Sequence, residues 1–222
     1  MKNLSLVIIS DTHNKHKRLS TLPKADIIIH CGDFTSMGYS HEIREFMGWY
    51  SNLKQYRYKI CCAGNHDWLF DRSRILAMEL VPKNVIYLED SGVEIEGLNF
   101  WGSPVQPIFN DWAFNMPEEK LAEHWKAIPD NTDVLITHCP PHSIFDWSIY
   151  DKIHTGSPSL YWEIMKRNII LATFGHIHSG HGVKVIGNTT FINASNLDED
   201  YMCVYNPVLV EIIDGKITVV SQ

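Results

Sequence analysis

The stretch LSLVIISDTH, residues 4–13, joins an uninterrupted apolar run to a polar end formed by Asp11, Thr12 and His13. Apolar residues that follow one another without alternation are typical of a β-strand covered on both faces. Four more runs of this kind lead into glycine, aspartate, asparagine or histidine: ADIIIH (25–30), YKICCA (58–63), DVLI (133–136) and IILATF (169–174). The five runs predict buried strands at the centre of an α/β fold.

The polar residues beyond the five runs predict one shared site. Binding crevices of open α/β sheets form at the carboxyl ends of the strands, where these residues are expected to meet. Because residues i and i+2 of an extended chain point to the same side, we expect Asp11 with His13, and His176 with His178, to face one centre. The candidate ligands at these ends form five clusters: Asp11 and His13, Asp33, Asn65 with His66 and Asp67, His138, and His176 with His178.

The chemistry of this donor set limits the metal. Carboxylates, imidazoles and one amide oxygen, without a thiolate, suit manganese, iron, zinc or nickel. Calcium would need more oxygen donors. A carboxylate flanked by ligands from several strands, such as Asp33, is suited to bridge two ions, which lie roughly 3.5–4 Å apart in phosphoryl-transfer sites. We therefore expect two divalent ions, with manganese as the first candidate.

The rest of the chain predicts flanking helices and an antiparallel C-terminal part. Helices are expected at residues 41–53, 72–80, 117–127 and 158–167, with Ser157 as the cap of the last. Gly187-Asn188 and Asp214-Gly215 are two-residue turn signals between strand-like segments. Parallel central strands, these hairpins and the helices together imply mixed sheets in stacked layers. We expect a single domain covering residues 1–222.

Composition and charge exclude several classes of protein. The formal net charge of −7 argues against an extended surface for nucleic acid. The apolar run at residues 4–9 is too short for a membrane span or a signal peptide. Five cysteines without a C-x-x-C pair suit a reducing compartment. We expect a cytoplasmic protein without a membrane partner; its oligomeric state stays open.

An ordered series of motifs resembles the calcineurin-like metallophosphoesterase superfamily: Asp11-Thr12-His13, Gly32-Asp33, Gly64-Asn65-His66-Asp67, Thr137-His138 and Gly175-His176-Ile177-His178. The resemblance spans residues 11–178. It implies a four-layer α-β-β-α sandwich of two mixed sheets flanked by helices, with the metal site at the strand C-terminal ends. Residues 102–104, 111–115, 137–141, 193–195 and 206–207 are similar to the small branch of metallophosphoesterase-domain proteins. Members of that branch act on phosphodiesters, including cyclic nucleotides.

The resemblance also implies roles for the site residues. Asp11, His13 and His178 would hold one ion, Asn65, His138 and His176 the other, and Asp33 would bridge the two. A metal-bound hydroxide would attack phosphorus in line. His66 fits the proton donor to the leaving alkoxide, and Asp67 is expected to hold the His66 imidazole in the required tautomer.

Contacts with the substrate are predicted from a loop and a histidine. The loop at residues 104–116 is rich in aromatic residues, and such a loop either packs over the core or forms a wall of the substrate pocket. As a wall, it would let a base stack on Trp112 or Phe109 while Asn110 reads a polar edge. His142, four residues after His138, is a further candidate. We expect the remaining histidines to be surface or hydrogen-bonded residues: His16, His30, His41, His124, His154 and His181.

Three functions remain open on this basis. The first is a phosphodiesterase acting on small esters or nucleotides such as 3',5'-cyclic nucleotides, and the second is a phosphomonoesterase. The third is a metal-bound scaffold without activity, which would be free to lose His66 and part of the ligand set. The chain after Asp33 reads Phe34-Thr35-Ser36 and lacks the Asp-Arg-Gly of protein Ser/Thr phosphatases, so that class is disfavoured.

Overall fold

Two six-stranded mixed sheets form the centre of the protein. The computed structural model describes residues 3–222; Met1 and Lys2 of the predicted domain lie outside the described residues. Strands β1 to β4 of the first sheet are parallel neighbours, and β15 and β16 extend it antiparallel beside β1. The spatial order is β16 (Lys216–Ser221), β15 (Val208–Ile213), β1 (Leu4–Ile9), β2 (Ile27–His30), β3 (Tyr58–Cys61) and β4 (Ile86–Tyr87).

The second sheet has the same mixed character. Its four inner strands, β14, β12, β9 and β6, are parallel neighbours, and an antiparallel strand closes each edge. The spatial order is β13 (Gly182–Ile186), β14 (Thr189–Asn193), β12 (Leu171–Phe174), β9 (Val134–Thr137), β6 (Leu98–Ser103) and β5 (Ser91–Ile95). The predicted hairpins at Gly187-Asn188 and Asp214-Gly215 are confirmed, since they join β13 to β14 and β15 to β16.

Two short strand pairs and five helices surround the sheets. The pair β7 (Gln106–Pro107) and β8 (Asn115–Met116) is parallel and closes the loop at residues 104–116, whereas β10 (Trp147–Ser148) and β11 (Ile153–His154) form an antiparallel hairpin. The helices are α1 (Ser40–Ser51), α2 (Trp68–Arg72), α3 (Arg74–Met78), α4 (Glu118–His124) and α5 (Pro158–Lys166).

Three hydrophobic clusters separate four layers. The central cluster lies between the two sheets, where Ile8 and Ile29 meet Ile136 and Leu171. An outer cluster joins the first sheet to α1, α2 and α3, for example through Phe46, and a third joins the second sheet to α4 and α5. The α-β-β-α sandwich predicted above is therefore confirmed. All five cysteines are free; Cys31 and Cys62 lie in the central cluster, Cys61 in the first outer cluster and Cys139 in the other.

The helix prediction for residues 72–80 is wrong in its boundaries. The structure has two short helices, α2 and α3, separated at Ser73, whose backbone is extended with φ −154° and ψ 69°. The helix predicted for 117–127 begins as α4 and ends in a 3₁₀ turn at Trp125–Ala127. Ser157 caps α5 as predicted, because its hydroxyl accepts the Leu160 N–H at 3.2 Å.

Candidate metal centre

The carboxyl ends of β1, β2, β3, β9 and β12 deliver the predicted ligands to one place. Asp11, His13 and His178 offer donor atoms that all lie within 4.8 Å of one another. His178 Nε2 is 3.6 Å from Asp11 Oδ1 and 3.3 Å from His13 Nε2. Two imidazole nitrogens at this distance repel each other unless a proton or a cation lies between them, so the group suits a cation.

A second group of ligands adjoins the first. Asp33, His138 and His176 also hold donor atoms within 4.8 Å of one another. His138 Nε2 lies 3.3 Å from Asp33 Oδ2 and 2.9 Å from Asn65 Oδ1, so the asparagine joins this group. Asp33 faces the first group as well, since its Oδ2 is 3.7 Å from His13 Nε2. Asp33 is therefore the carboxylate between the two groups.

The backbone path to these positions differs from the predicted extended chain. Asp11, His13, Asp33 and His176 have left-handed conformations, with φ of 53°, 38°, 56° and 69°. The extended backbone expected at His176 is therefore wrong, but His176 and His178 both face the shared centre as predicted, each in the ligand group that the resemblance implies. Ile177 between them lines the cavity described below. Side chains alternate between the two faces only while the chain is extended. In a left-handed turn at the end of a strand, the φ and ψ angles of the turn set their directions instead.

Two glycines allow the ligand loops to approach closely. A Cβ at Gly175 would lie 2.0 Å from Asp11 Oδ2 and 2.1 Å from Ser10 Oγ. A Cβ at Gly64 would lie 2.3 Å from Asp33 Oδ1. Only glycine fits between a backbone and a carboxylate at such distances. The glycine before each ligand therefore provides room for a ligand of a neighbouring strand.

Backbone carbonyls orient three of the histidines. Nδ1 lies 2.9 Å from Cys31 O in His138, 2.9 Å from Asp198 O in His178 and 2.7 Å from Ser36 O in His66. A carbonyl only accepts, so Nδ1 is the protonated nitrogen in each ring. Nε2 of His138 and of His178 is then available to a metal, which is the usual arrangement around metal-binding histidines.

Burial and the clustered charges divide the histidines into two kinds. Burial lowers the pKa of His13 and of His176 to about 3. Burial opposes protonation of His138 and His178 too. The charge of Asp33 nevertheless raises the pKa of His138 to about 9. The hydrogen bond to Asp11 and its charge raise the pKa of His178 to about 9 as well. Burial would raise the pKa of both carboxyl groups, but His178 holds the pKa of Asp11 below the ordinary value, and His138 does the same for Asp33. Both carboxylates are thus anionic near neutral pH, as a cation site requires.

Asp67 has a different position from the one predicted. Its carboxylate accepts the backbone N–H groups of Asp33 (2.9 Å), Thr35 (2.9 Å) and Gly64 (2.8 Å), together with the Thr35 hydroxyl (2.6 Å). The His66 imidazole is held instead by the Ser36 carbonyl. The expectation that Asp67 orients His66 is therefore corrected: Asp67 ties together the loops that carry Asp33 and Asn65. Burial and the charge of Asp33 raise the pKa of Asp67 to about 7.

A cavity of about 670 Å³ lies over the ligand groups. Its floor includes His13, Asp33, Asn65, His66, His176 and His178. Asn110 lines this cavity, as predicted for a substrate contact, and the Phe109 ring beside it is 5.8 Å from the His176 ring. Trp112 lies outside the lining and stacks on His66, with ring centroids 4.1 Å apart.

His142 does not reach the cavity. Its ring lies 5.2 Å from that of His154, and its Nδ1 is 2.8 Å from the Ser143 hydroxyl. His142 is not among the residues that line the cavity, so the prediction of a substrate contact is not supported by its position. Asp146, bonded to His154 Nδ1 at 2.6 Å, instead fixes the hairpin β10–β11 at the cavity wall.

Two parts of the lining were absent from the sequence prediction. Tyr150, Asp151 and Ile153 come from the hairpin β10–β11, and Glu199 and Tyr201 come from the segment after β14. The Tyr201 ring packs edge-on against His13 at 5.0 Å and against His178 at 5.2 Å. These segments are short and irregular, and they carry no periodic pattern that would have placed them beside the ligands.

A four-layer α/β sandwich with carboxylates and imidazoles gathered at the ends of its parallel strands defines the class of metallophosphoesterases. The chain belongs to the calcineurin-like phosphoesterase family, which matches residues 4–180. Its family is thus one of phosphoric ester hydrolases that use divalent metals, and the ligand groups above are its candidate metal-binding residues.

Named relatives agree with this assignment. The chain is 36% identical over 230 residues to metallophosphoesterase domain-containing protein 1 of Homo sapiens, covering 93% of this chain and 70% of that one. A UPF0046 protein of Caenorhabditis elegans is 35% identical, with 93% and 74% covered. A solved crystal structure shares the fold, with a TM-score of 0.67 at 17% identity and 98% of each chain covered. Within residues 3–222, no helix is long and apolar enough to cross a membrane.

Proposed function

We propose that this protein is a phosphodiesterase with a two-metal centre. The observation that carries the proposal is the position of Asp33, which lies between the group of Asp11, His13 and His178 and the group of His138, His176 and Asn65. Each group would hold one divalent ion, with Asp33 as the bridge and manganese as the first candidate. When bound, such ions neutralise phosphoryl oxygens and make water a better nucleophile.

The charges around the cavity favour a diester over a monoester. Among the described residues, the lining contains no lysine or arginine, whereas Asp33, Asp151 and Glu199 are acidic. A phosphomonoester carries about −1.5 to −2 charges at neutral pH, whereas a diester carries one. Without a lysine or arginine to receive the second charge, neutralisation of the substrate falls mainly to the ions. A singly charged ester suits this environment better than a monoester or a polyphosphate.

The walls of the cavity can receive an organic group. Phe109 and Ile108 form one wall, and Tyr150 and Ile153 of the hairpin form another, with exposed side chains on both sides. Aromatic and aliphatic walls with few polar groups are the usual lining of small-molecule sites. Asn110 supplies a polar group at the edge. A cyclic nucleotide, with one phosphate charge and a neutral base, is a substrate of this kind.

His66 is the proposed proton donor. Its Nδ1–H is engaged by Ser36 O at 2.7 Å, and its backbone N–H donates to Asp33 Oδ1 at 2.8 Å, so the ring is fixed beside the bridging carboxylate. In its doubly protonated form, the ring has Nε2–H free to protonate the leaving oxygen. Positioned acids of this type contribute roughly 10²–10⁴-fold to turnover.

A paired assay tests the proposal. Protein stripped of metal and reloaded with Mn²⁺ is assayed with bis(4-nitrophenyl) phosphate and with 4-nitrophenyl phosphate, and Asp33→Asn serves as the control for turnover by contaminants. We expect kcat/KM for the diester to exceed that for the monoester by at least about tenfold, a difference of about 1.4 kcal/mol. A preference for the monoester would favour the phosphomonoesterase. Absence of turnover despite two bound ions would favour the scaffold.

A further inference from the structure

The ring of Trp112 is enclosed by other rings. Its centroid lies 4.1 Å from that of His66 at an interplanar angle of 29°, and 5.9 Å from that of Trp68 at 31°. The Arg72 guanidinium lies over the Trp68 ring at 4.1 Å. The stack thus runs from Arg72 through both tryptophans to His66. Because Trp112 lies outside the lining of the cavity over the ligands and has His66 against its ring, its predicted base-stacking role in that cavity does not fit.

The contact with Trp112 helps to fix the orientation of the His66 ring. The Ser36 carbonyl holds its Nδ1, and the His13 ring lies nearly perpendicular to it, with centroids 4.6 Å apart at 83°. Trp112 stacks nearly flat on the imidazole, at an interplanar angle of 29°. A flat stack at this distance restricts rotation of the imidazole about its bond to Cβ.

The loop that carries Trp112 is itself anchored. The Asn115 side chain accepts the Phe109 N–H at 3.1 Å and donates to Asn110 O at 2.9 Å, and the Trp112 N–H donates to Phe109 O at 3.3 Å. The parallel pair β7–β8 closes the base of the loop. The stack therefore rests on a braced loop, as a positioning contact requires.

We propose that Trp112 is the positioning residue for His66, holding the imidazole so that Nε2 points at the leaving oxygen. The inference rests on the proposed function, because it concerns the proton donor of that reaction. A 4-nitrophenolate leaves without much help from an acid, whereas an unsubstituted phenolate needs its proton. Loss of the stack should therefore slow turnover only where the leaving group is poor.

The test uses two diesters that differ in one nitro group, methyl 4-nitrophenyl phosphate and methyl phenyl phosphate. For Trp112→Leu, we expect kcat for the phenyl ester to fall roughly 10- to 100-fold and kcat for the nitrophenyl ester to fall less than about threefold, with KM nearly unchanged. Trp112→Phe keeps an aromatic face and should recover most of the loss. His66→Ala should show the same selectivity with a larger loss. Trp162→Leu, at an exposed tryptophan on α5, is the matched control.

The possible results distinguish a positioning role of Trp112 from a structural role and from a substrate contact. Equal loss on both esters, or no rescue by Trp112→Phe, overturns the positioning role in favour of a structural one. A raised KM with unchanged kcat overturns it in favour of a substrate contact. Selective loss in His66→Ala but not in Trp112→Leu overturns the inference while the proposed function stands. If the wild-type protein hydrolyses neither ester, the proposed function fails and the inference fails with it. Metal content and Tm, measured on every variant, verify that the fold is intact.

Discussion

At the scale of single residues, Asp67 is a motif carboxylate whose partners are backbone N–H groups of the ligand loops. It is fully buried and accepts backbone N–H groups from four residues in two ligand loops. A carboxylate accepts at both oxygens, whereas an amide at this position would place its N–H₂ against N–H donors. The loops around Asp33 and Asn65 therefore depend on a side chain that points away from the cavity.

We predict that Asp67→Asn lowers the free energy of unfolding by about 2–4 kcal/mol, because buried donors lose their acceptor. The measurement is urea unfolding of the metal-free protein at pH 8. Asp130→Asn, at a side chain that is 97% exposed, is the matched control and should change the free energy by less than about 0.5 kcal/mol. An Asp67→Asn variant of full stability but greatly reduced turnover would restore the predicted role in orienting His66.

The candidate ligands could be predicted from the sequence because their positions follow from a general rule about strand ends. Each comes shortly after a run that reads as a buried strand. Their orientation could not be predicted, since left-handed turns at Asp11, His13 and His176 replace the extended chain. His30 has the modest role expected of it: it is buried, and its Nε2 lies 2.9 Å from the Thr12 hydroxyl.

At the scale of elements, the ends of β1 and β12 are fitted to each other through Gly175. This residue follows β12, and its Cα faces Asp11 and Ser10, which follow β1 in the other sheet. The backbone N–H of the next residue, His176, donates to both oxygens of Asp11 at 3.1 and 3.0 Å. An added methyl group would push these two strand ends apart.

We predict that Gly175→Ala lowers the free energy of unfolding by about 1–3 kcal/mol, the usual cost of overpacking, and weakens metal binding. Denaturant unfolding and Mn²⁺ titration measure the two effects. Gly48→Ala is the matched control: Gly48 lies within α1 and a Cβ there would meet nothing within 4 Å. That change should stabilise the protein by roughly 0.5–1 kcal/mol. Normal Mn²⁺ affinity in Gly175→Ala would show that the loops adjust.

The short elements mark the limit of prediction at this scale. The central strands and both C-terminal hairpins could be predicted because apolar runs and two-residue turns give strong local signals. The hairpin β10–β11 has two residues in each strand, too few for a pattern. Its position follows from long-range contacts instead, such as the Asp146 carboxylate that accepts from Ser143 N, Gly156 N and the His154 ring.

At the scale of the whole molecule, the candidate centre joins the two sheets. Asp11, Asp33 and Asn65 follow strands of the first sheet, whereas His138, His176 and His178 follow strands of the second. Each ligand group contains residues from both. An ion bound to the folded protein and not to the unfolded chain therefore stabilises the contact between the halves.

We predict that Mn²⁺ at about 100 times its Kd stabilises the protein by about 2.7 kcal/mol and raises Tm by roughly 5–10 °C for a chain of this length. Calorimetry in EDTA and in Mn²⁺ provides the comparison. His138→Ala removes a ligand of the second sheet and should abolish most of the increase. An unchanged Tm in the wild-type protein would contradict binding at this centre.

Cys31, Cys61 and Cys139 lie in three different hydrophobic layers, and this gives the molecule a set of internal reporters. Burial raises the pKa of Cys31, Cys61 and Cys139 well above the ordinary value, so these thiols react only after the layer that covers them has opened. Cys31 reports on the layer between the sheets, and Cys61 and Cys139 report on the two outer layers. The alkylation rate of each thiol therefore records how often its own layer becomes exposed under native conditions, without any added label.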